Sequence, residues 1–132
     1  IGAYGKQKNQ FSGSGGANGI ATFCDTVIVM KHEKRRFVEK IDYITSPGWI
    51  DGPDGRAKNG LIPDKGPRAV ITELGILRFD ENRRMYLSEY FTGVSIEQIV
   101  ENTGFEIDVS KAVESPAPEE DVLNILINNV DK

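Results

Sequence analysis

The sequence predicts an α/β domain, a largely parallel sheet with flanking helices and one β-hairpin. Three observations carry that prediction. The apolar run Val27-Ile28-Val29-Met30 does not alternate with polar residues, as expected of a strand buried on both faces in a parallel sheet. Two helical segments are expected near 95–104 and 118–130, the first with start and stop signals and the second with start signals and an apolar face. Between Gly75 and Phe91, two apolar stretches flank Asp80-Glu81-Asn82-Arg83, which is the pattern of a hairpin.

The first of these helices opens at Ser95, three residues before Gln98, the spacing of a capping box; Val94 and Ile99 hold the two positions of a hydrophobic staple. Gly104 stands where a helix-ending glycine belongs. The second has Pro118 at its first turn, with Glu119, Glu120 and Asp121 set favourably against the helix dipole. Val122, Leu123, Leu126, Ile127 and Val130 recur at spacings of three and four, so this helix is expected to pack one face on a core. Further strands are expected at 26–30, 43–45, 69–72 and 105–109, each short and bounded by turn formers. Between Ser46 and Pro67, five glycines and four prolines exclude a regular element. A loop of that length is either a lid or contact loop or a passive surface excursion, and Trp49 is its expected anchor.

Composition narrows the function. The 132 residues are enough for one modest domain with its own core. A single cysteine, Cys24, excludes an intrachain disulfide and suits a reducing, cytoplasmic setting; with His32 alone beside it, no zinc cluster can be assembled. No apolar run approaches the roughly 20 residues of a membrane-spanning helix. The net charge of −4 argues against a nucleic-acid partner held by phosphate neutralisation. The chain opens on Ile1-Gly2-Ala3-Tyr4 without an initiator Met or a targeting segment, and a missing N-terminal portion is expected.

The most informative stretch is Ser12-Gly13-Ser14-Gly15-Gly16-Ala17-Asn18-Gly19. It is not a dinucleotide fingerprint, because Asn18 stands where the last glycine is required. A nucleophile elbow around Ser14 would need glycine in place of Ser12, and no P-loop Lys-Ser or Lys-Thr pair follows. What remains is a turn of small residues leading into a short helix, about 16–23. Without Cβ atoms at most of its positions, backbone N–H groups can approach a ligand closely and converge on negative charge. The same pattern also fits a close-packed turn with no ligand.

The chain resembles the C-terminal half of the β-type subunit of class I CoA-transferases, in the glutaconate CoA-transferase-like branch. The resemblance rests on Ile1-Gly2-Ala3-Tyr4, Gly13-Ser14-Gly15-Gly16-Ala17-Asn18, His32-Glu33-Lys34-Arg35-Arg36-Phe37-Val38 and Asp42-Tyr43-Ile44-Thr45-Ser46-Pro47-Gly48, in that order. Gly66-Pro67 before Val70-Ile71-Thr72, and Glu101-Asn102-Thr103-Gly104-Phe105, extend it over nearly the whole chain. It implies a three-layer fold, with residues 1–132 forming the C-terminal part of a single subunit domain whose N-terminal portion is missing. It further implies a cytoplasmic enzyme of two related subunits, with an α-type partner, an acyl-CoA and a carboxylic acid as substrates, and no permanently bound cofactor. Gly13, Ser14, Gly15 and Gly16, with Asn18 beside them, fall on the turn associated with the oxyanion hole and the thioester. Gly19 departs from the acidic residue common at that place and receives no role. The family nucleophile is a glutamate expected upstream of Ile1, so no catalytic residue is assigned here, and this chain alone is expected to be inactive.

Charge makes Lys34, Arg35 and Arg36 candidates for the phosphates of CoA, against the plainer reading of a solvated turn. His32 is read as structural, Cys24 as core packing, and Asp51, Asp54 and Asp64 as turn residues. An acyl-CoA hydrolase or decarboxylase on the same scaffold is the alternative enzyme, and a non-catalytic binding module the alternative outside enzymes.

Overall fold

A computed structural model of the chain describes residues 13–130. Ile1-Gly2-Ala3-Tyr4 and Ser12 of the sequence motifs lie outside the described residues. Two compact units interleave along the chain, one from residues 13–26 with Ile41–Pro67, the other from Val27–Lys40 with residues 68–130.

The first unit contains helix α1, Gly15–Phe23, and a single helical turn, α2, Gly55–Lys58. α1 begins one residue earlier than the glycine pattern suggested. The expected strand at 43–45 is absent; the Thr45 carbonyl instead accepts a bond from the Asn18 side chain at 2.9 Å. The loop from Ser46 to Pro67 is ordered about Trp49, which is buried and whose indole N–H donates to the Pro67 carbonyl at 2.9 Å. α2 interrupts this loop, so the expectation of no regular element there is corrected. Its turn closes through Lys58 N–H to the Asp54 carbonyl at 3.0 Å.

The sheet is mixed, in the order β1 (Thr26–Val29), β2 (Pro67–Ile71), β3 (Gly75–Phe79), β4 (Met85–Tyr90), β5 (Val113–Glu114). Thr26 N–H bonds the Gly66 carbonyl and Met30 N–H the Ile71 carbonyl, each at 3.0 Å; the partners advance together, as in parallel strands. β2, β3 and β4 pair antiparallel, and β4 pairs parallel with β5. The expected hairpin is β3–β4, with Asp80 closing its turn through bonds to the backbone of Arg83 and Arg84.

Helix α3, Ile96–Glu101, follows with the cap that the sequence specifies: Ser95 Oγ accepts the Gln98 N–H at 3.1 Å. Phe37, Val70, Leu74, Leu77, Leu87, Ile99 and Ile107 form the core of this second unit. Gly104 serves close approach rather than a left-handed cap. Its N–H donates to the Phe37 carbonyl at 2.7 Å, and a Cβ there would run into that same oxygen. The expected strand at 105–109 is reduced to single bridges, Val38 to Gly104 and Tyr86 to Asp108. Asp108 then turns the chain by accepting the Ser110 N–H at 2.8 Å.

Two burial expectations are overturned. Val27, Ile28 and Val29 are exposed, Val29 by 78 %; among the described residues β1 is the end strand of the sheet and nothing covers these side chains. Helix α4, Glu120–Ile125, continues as a π-helical stretch over Leu126–Val130, and nothing among the described residues buries any of its side chains.

Candidate functional site

The glycine turn stands at the N-terminus of α1. Ser14 is the N-cap residue, but its side chain makes no cap hydrogen bond. The first rung of the helix ladder is Asn18 N–H to the Ser14 carbonyl at 2.8 Å. The N–H groups of Gly15, Gly16 and Ala17 therefore precede the intrahelical ladder and carry the positive end of the helix dipole. No acidic residue lies in this first turn to oppose an incoming anion. Gly13, Ser14, Gly15 and Gly16 are exposed, and a Cβ built at any of the three glycines meets no atom of the described residues within 4 Å. Among the described residues the turn is thus not packed against neighbouring backbone. Chemically it can present two or three converging donors to a carboxylate, a phosphate or a developing oxyanion.

Asn18 sits one turn along the helix. Its amide is engaged with Thr45, and its backbone carbonyl accepts the Thr22 hydroxyl at 2.7 Å. Cys24 is exposed, which corrects the core-packing expectation: α1 buries none of its side chains, and Cys24 caps its C-terminal end through its N–H to Ile20 at 2.9 Å.

One important residue escapes the sequence reading. Arg56, at 0 % exposure, is among the most buried side chains of the chain. Its guanidinium donates to the carbonyls of Ile62 at 2.9 Å, Gly48 at 3.0 Å, Ala21 at 3.2 Å and Thr22 at 2.7 Å. Ala21 and Thr22 belong to the last turn of α1, where carbonyls lack intrahelical partners and a cation is favoured. A single arginine between Gly55 and Ala57 in a glycine-rich loop gives no sequence signal for this role.

In the second unit, the basic run is organised by Glu33. Arg35 reaches its carboxylate at 2.7 Å and Arg36 at 2.8 Å; Arg36, followed by Arg35, holds the Glu33 carboxyl below its usual range. One carboxylate between two guanidiniums, with Lys34 exposed beside them, leaves the run cationic.

His32 is buried and stacked on Phe37 at 4.2 Å between ring centroids. Its Nδ1 lies 3.2 Å from Thr72 Oγ and its Nε2 3.0 Å from Thr103 Oγ. The Thr103 hydroxyl donates to the Ile99 carbonyl and the Thr72 hydroxyl to the Gly75 carbonyl, so both threonines are held in place on either side of the ring. Burial lowers the histidine pKa, the Glu73 carboxylate opposing that shift in part. A neutral ring with both nitrogens engaged is structural, in keeping with the sequence expectation. Among the described residues, no group of three His, Cys, Asp or Glu side chains is placed to hold a metal ion, and no helix is long and apolar enough to cross a membrane.

A family model described as Coenzyme A transferase matches residues 1–102 of the chain. The β-type subunit of glutaconate CoA-transferase from Acidaminococcus fermentans is 57 % identical over 132 residues, covering 99 % of this chain and 50 % of that protein. The corresponding subunit of 3-oxoadipate CoA-transferase from Pseudomonas knackmussii is 40 % identical over 129 residues, 96 % of this chain and 49 % of its own length. The crystal structure of glutaconate coenzyme A-transferase from Acidaminococcus fermentans superimposes with a TM-score of 0.88 at 56 % identity, covering 98 % of this chain and 50 % of that one. IpdAB of Rhodococcus jostii shares the fold at 22 % identity, with a TM-score of 0.76 over 97 % of this chain and 52 % of that one. The chain spans about half the length of the curated relatives it matches.

Proposed function

This chain belongs to the coenzyme A transferase family, and we propose that it is the C-terminal part of a β-type subunit that moves CoA between carboxylic acids with an α-type partner in the cytoplasm. The observation that carries the reading is the open glycine turn at the head of α1, with its cap side chain disengaged. In this proposal a glutamate carboxylate from the portion of the subunit outside this chain attacks the thioester carbonyl. The C–S bond breaks, releasing CoA thiolate and leaving an acyl-glutamyl anhydride. Thiolate then attacks the glutamyl carbonyl, expels the donor carboxylate and leaves an enzyme-bound glutamyl thioester. The acceptor acid reverses both steps.

Each addition places negative charge on a carbonyl oxygen, and the backbone donors of Gly13, Ser14, Gly15 and Gly16 are suited to receive it because they need not reorganise. Asn18, beside the turn, belongs to the same proposed acyl-CoA site, its side-chain amide tying α1 to the Thr45 carbonyl. Lys34, with Arg35 and Arg36, is the proposed contact for CoA phosphates. No cofactor is held permanently; the CoA thioester is substrate. The 132-residue chain by itself has no transferase activity.

The test uses the complete subunit assembled with its α-type partner. Incubation with acyl-CoA followed by borohydride reduces a glutamyl thioester and abolishes activity, whereas borohydride without acyl-CoA leaves it intact. Equal loss, or no loss, under both treatments rejects transfer through a glutamyl thioester and turns the assignment to hydrolysis, decarboxylation or binding without chemistry.

A further inference from the structure

We propose that Arg56 is a positioning residue for the glycine turn, holding α1 by its C-terminal carbonyls so that the N–H groups at its opposite end keep a fixed direction. As a role in catalysis, this rests on the transferase reading above. The physical need is plain: among the described residues nothing buries the side chains of α1, so apolar packing there does not set its angle. Polar contacts then do so, and among the described residues two tie α1 to the rest of its unit. The buried guanidinium of Arg56 joins the Ala21 and Thr22 carbonyls of α1 to Gly48 and Ile62 of the long loop. Midway along the helix, the Asn18 amide joins it to Thr45. Together they are a two-point clamp between α1 and the segment from Thr45 to Ile62.

The leverage follows from helix geometry. Nine residues at about 1.5 Å each make a rod of about 13 Å, so a tilt of about 5° at the anchored end displaces the turn by about 1 Å. A displacement of about 1 Å at a reacting centre can cost about 10²-fold in rate. Arginine suits the task because its planar fork addresses several carbonyls in fixed directions, whereas a lysine ammonium on a flexible stem cannot hold four of them. The long loop thereby acquires a role distinct from that of a lid, as the frame on which the donor helix is mounted.

The experiment compares Arg56→Lys and Asn18→Asp with wild type in the complete two-subunit enzyme. Hydrogen exchange is followed in peptides from 13–24 and, as reference, from 67–79. Asn18→Asp keeps the shape but removes the donor, and it covers the case in which Arg56→Lys fails to fold. The expected result is exchange in 13–24 at least tenfold faster with 67–79 unchanged, and kcat about 10- to 100-fold lower with KM for acyl-CoA within twofold. Unaltered exchange in 13–24 overturns the clamp whether or not the enzyme is a transferase, since that readout needs no substrate. Faster exchange with wild-type kcat, or a raised KM with kcat intact, overturns the link from clamp to chemistry; absence of borohydride trapping in wild type is the separate failure of the transferase reading.

Discussion

A matched pair of glycines in α1 offers the sharpest test of the turn. Gly16 lies before the hydrogen-bonded ladder begins, whereas Gly19 lies one turn inside it; among the described residues neither has an atom within 4 Å of a built Cβ, and neither has positive φ. Alanine therefore fits at both sites. Each substitution removes backbone freedom from the unfolded chain and is expected to stabilise by about 0.5–1 kcal/mol, roughly 0.4 M in a urea midpoint for a slope of about 2 kcal/mol/M. The kinetic expectations diverge. A methyl group at Gly16 stands beside a free N–H and keeps an incoming oxygen about 1 Å further off, so kcat falls about 10²-fold. Gly19→Ala leaves kcat within about twofold. The assay is steady-state CoA transfer by the complete enzyme, paired with urea unfolding of both variants. Equal kinetics for the two variants would show that Gly16 is not glycine on account of a ligand. A loss of stability in Gly16→Ala would show that protein, not substrate, occupies the space above the turn.

Other substitutions probe the supporting structure. Stability of the wild type falls as pH drops through about 6.5, the ordinary histidine value: below it the unfolded chain binds a proton that buried His32 resists until its lower folded pKa is reached. His32→Gln flattens that segment of a urea-midpoint profile taken from about pH 7.5 to 5.5; an unchanged slope would remove His32 as its cause. Gly104→Ala drives a methyl group into the Phe37 carbonyl and costs about 1–3 kcal/mol by denaturant unfolding, while a neutral result would contradict the close approach of the two backbones. Trp49→Phe removes the indole donor from the Pro67 carbonyl and costs about 1–3 kcal/mol, seen as a lower urea midpoint; an unmoved midpoint would show that the bond does not hold the loop.

What could be read from the sequence is what local chemistry decides. Ser95 and Gln98 set the start of α3 through a bond three residues long, and Asp80 closes the β3–β4 turn within five residues. Small residues at 13–16 announced the opening of α1. Burial proved harder. The unbroken apolar run of β1 and the three-four spacing of α4 record a preference for apolar surroundings, but a sequence pattern does not say which surface provides them. Among the described residues none does so for α4, and β1 stands at the sheet margin. The expected strands at 43–45 and 105–109 failed for another reason: Asn18 and Asp108 offer side-chain bonds that compete with a ladder.

Arg56 shows why the candidate site itself was only half legible. Donors at a helix N-terminus are visible in sequence because composition alone makes them accessible: glycine without a side chain, and no acid nearby. Whether they act together depends on the direction of the helix axis, which is set at the opposite end by contacts eight to thirty-five residues apart. An arginine in a loop reads by default as a solvated surface charge, because its solvation favours exposure. Burial reverses that expectation only when enough acceptors converge, and here four carbonyls from α1 and the loop do so. The same convergence suits an uncluttered glycine end: a helix fixed by polar bonds at its C-terminal turn requires no apolar side chains near its N-terminus, and among the described residues that end stays exposed.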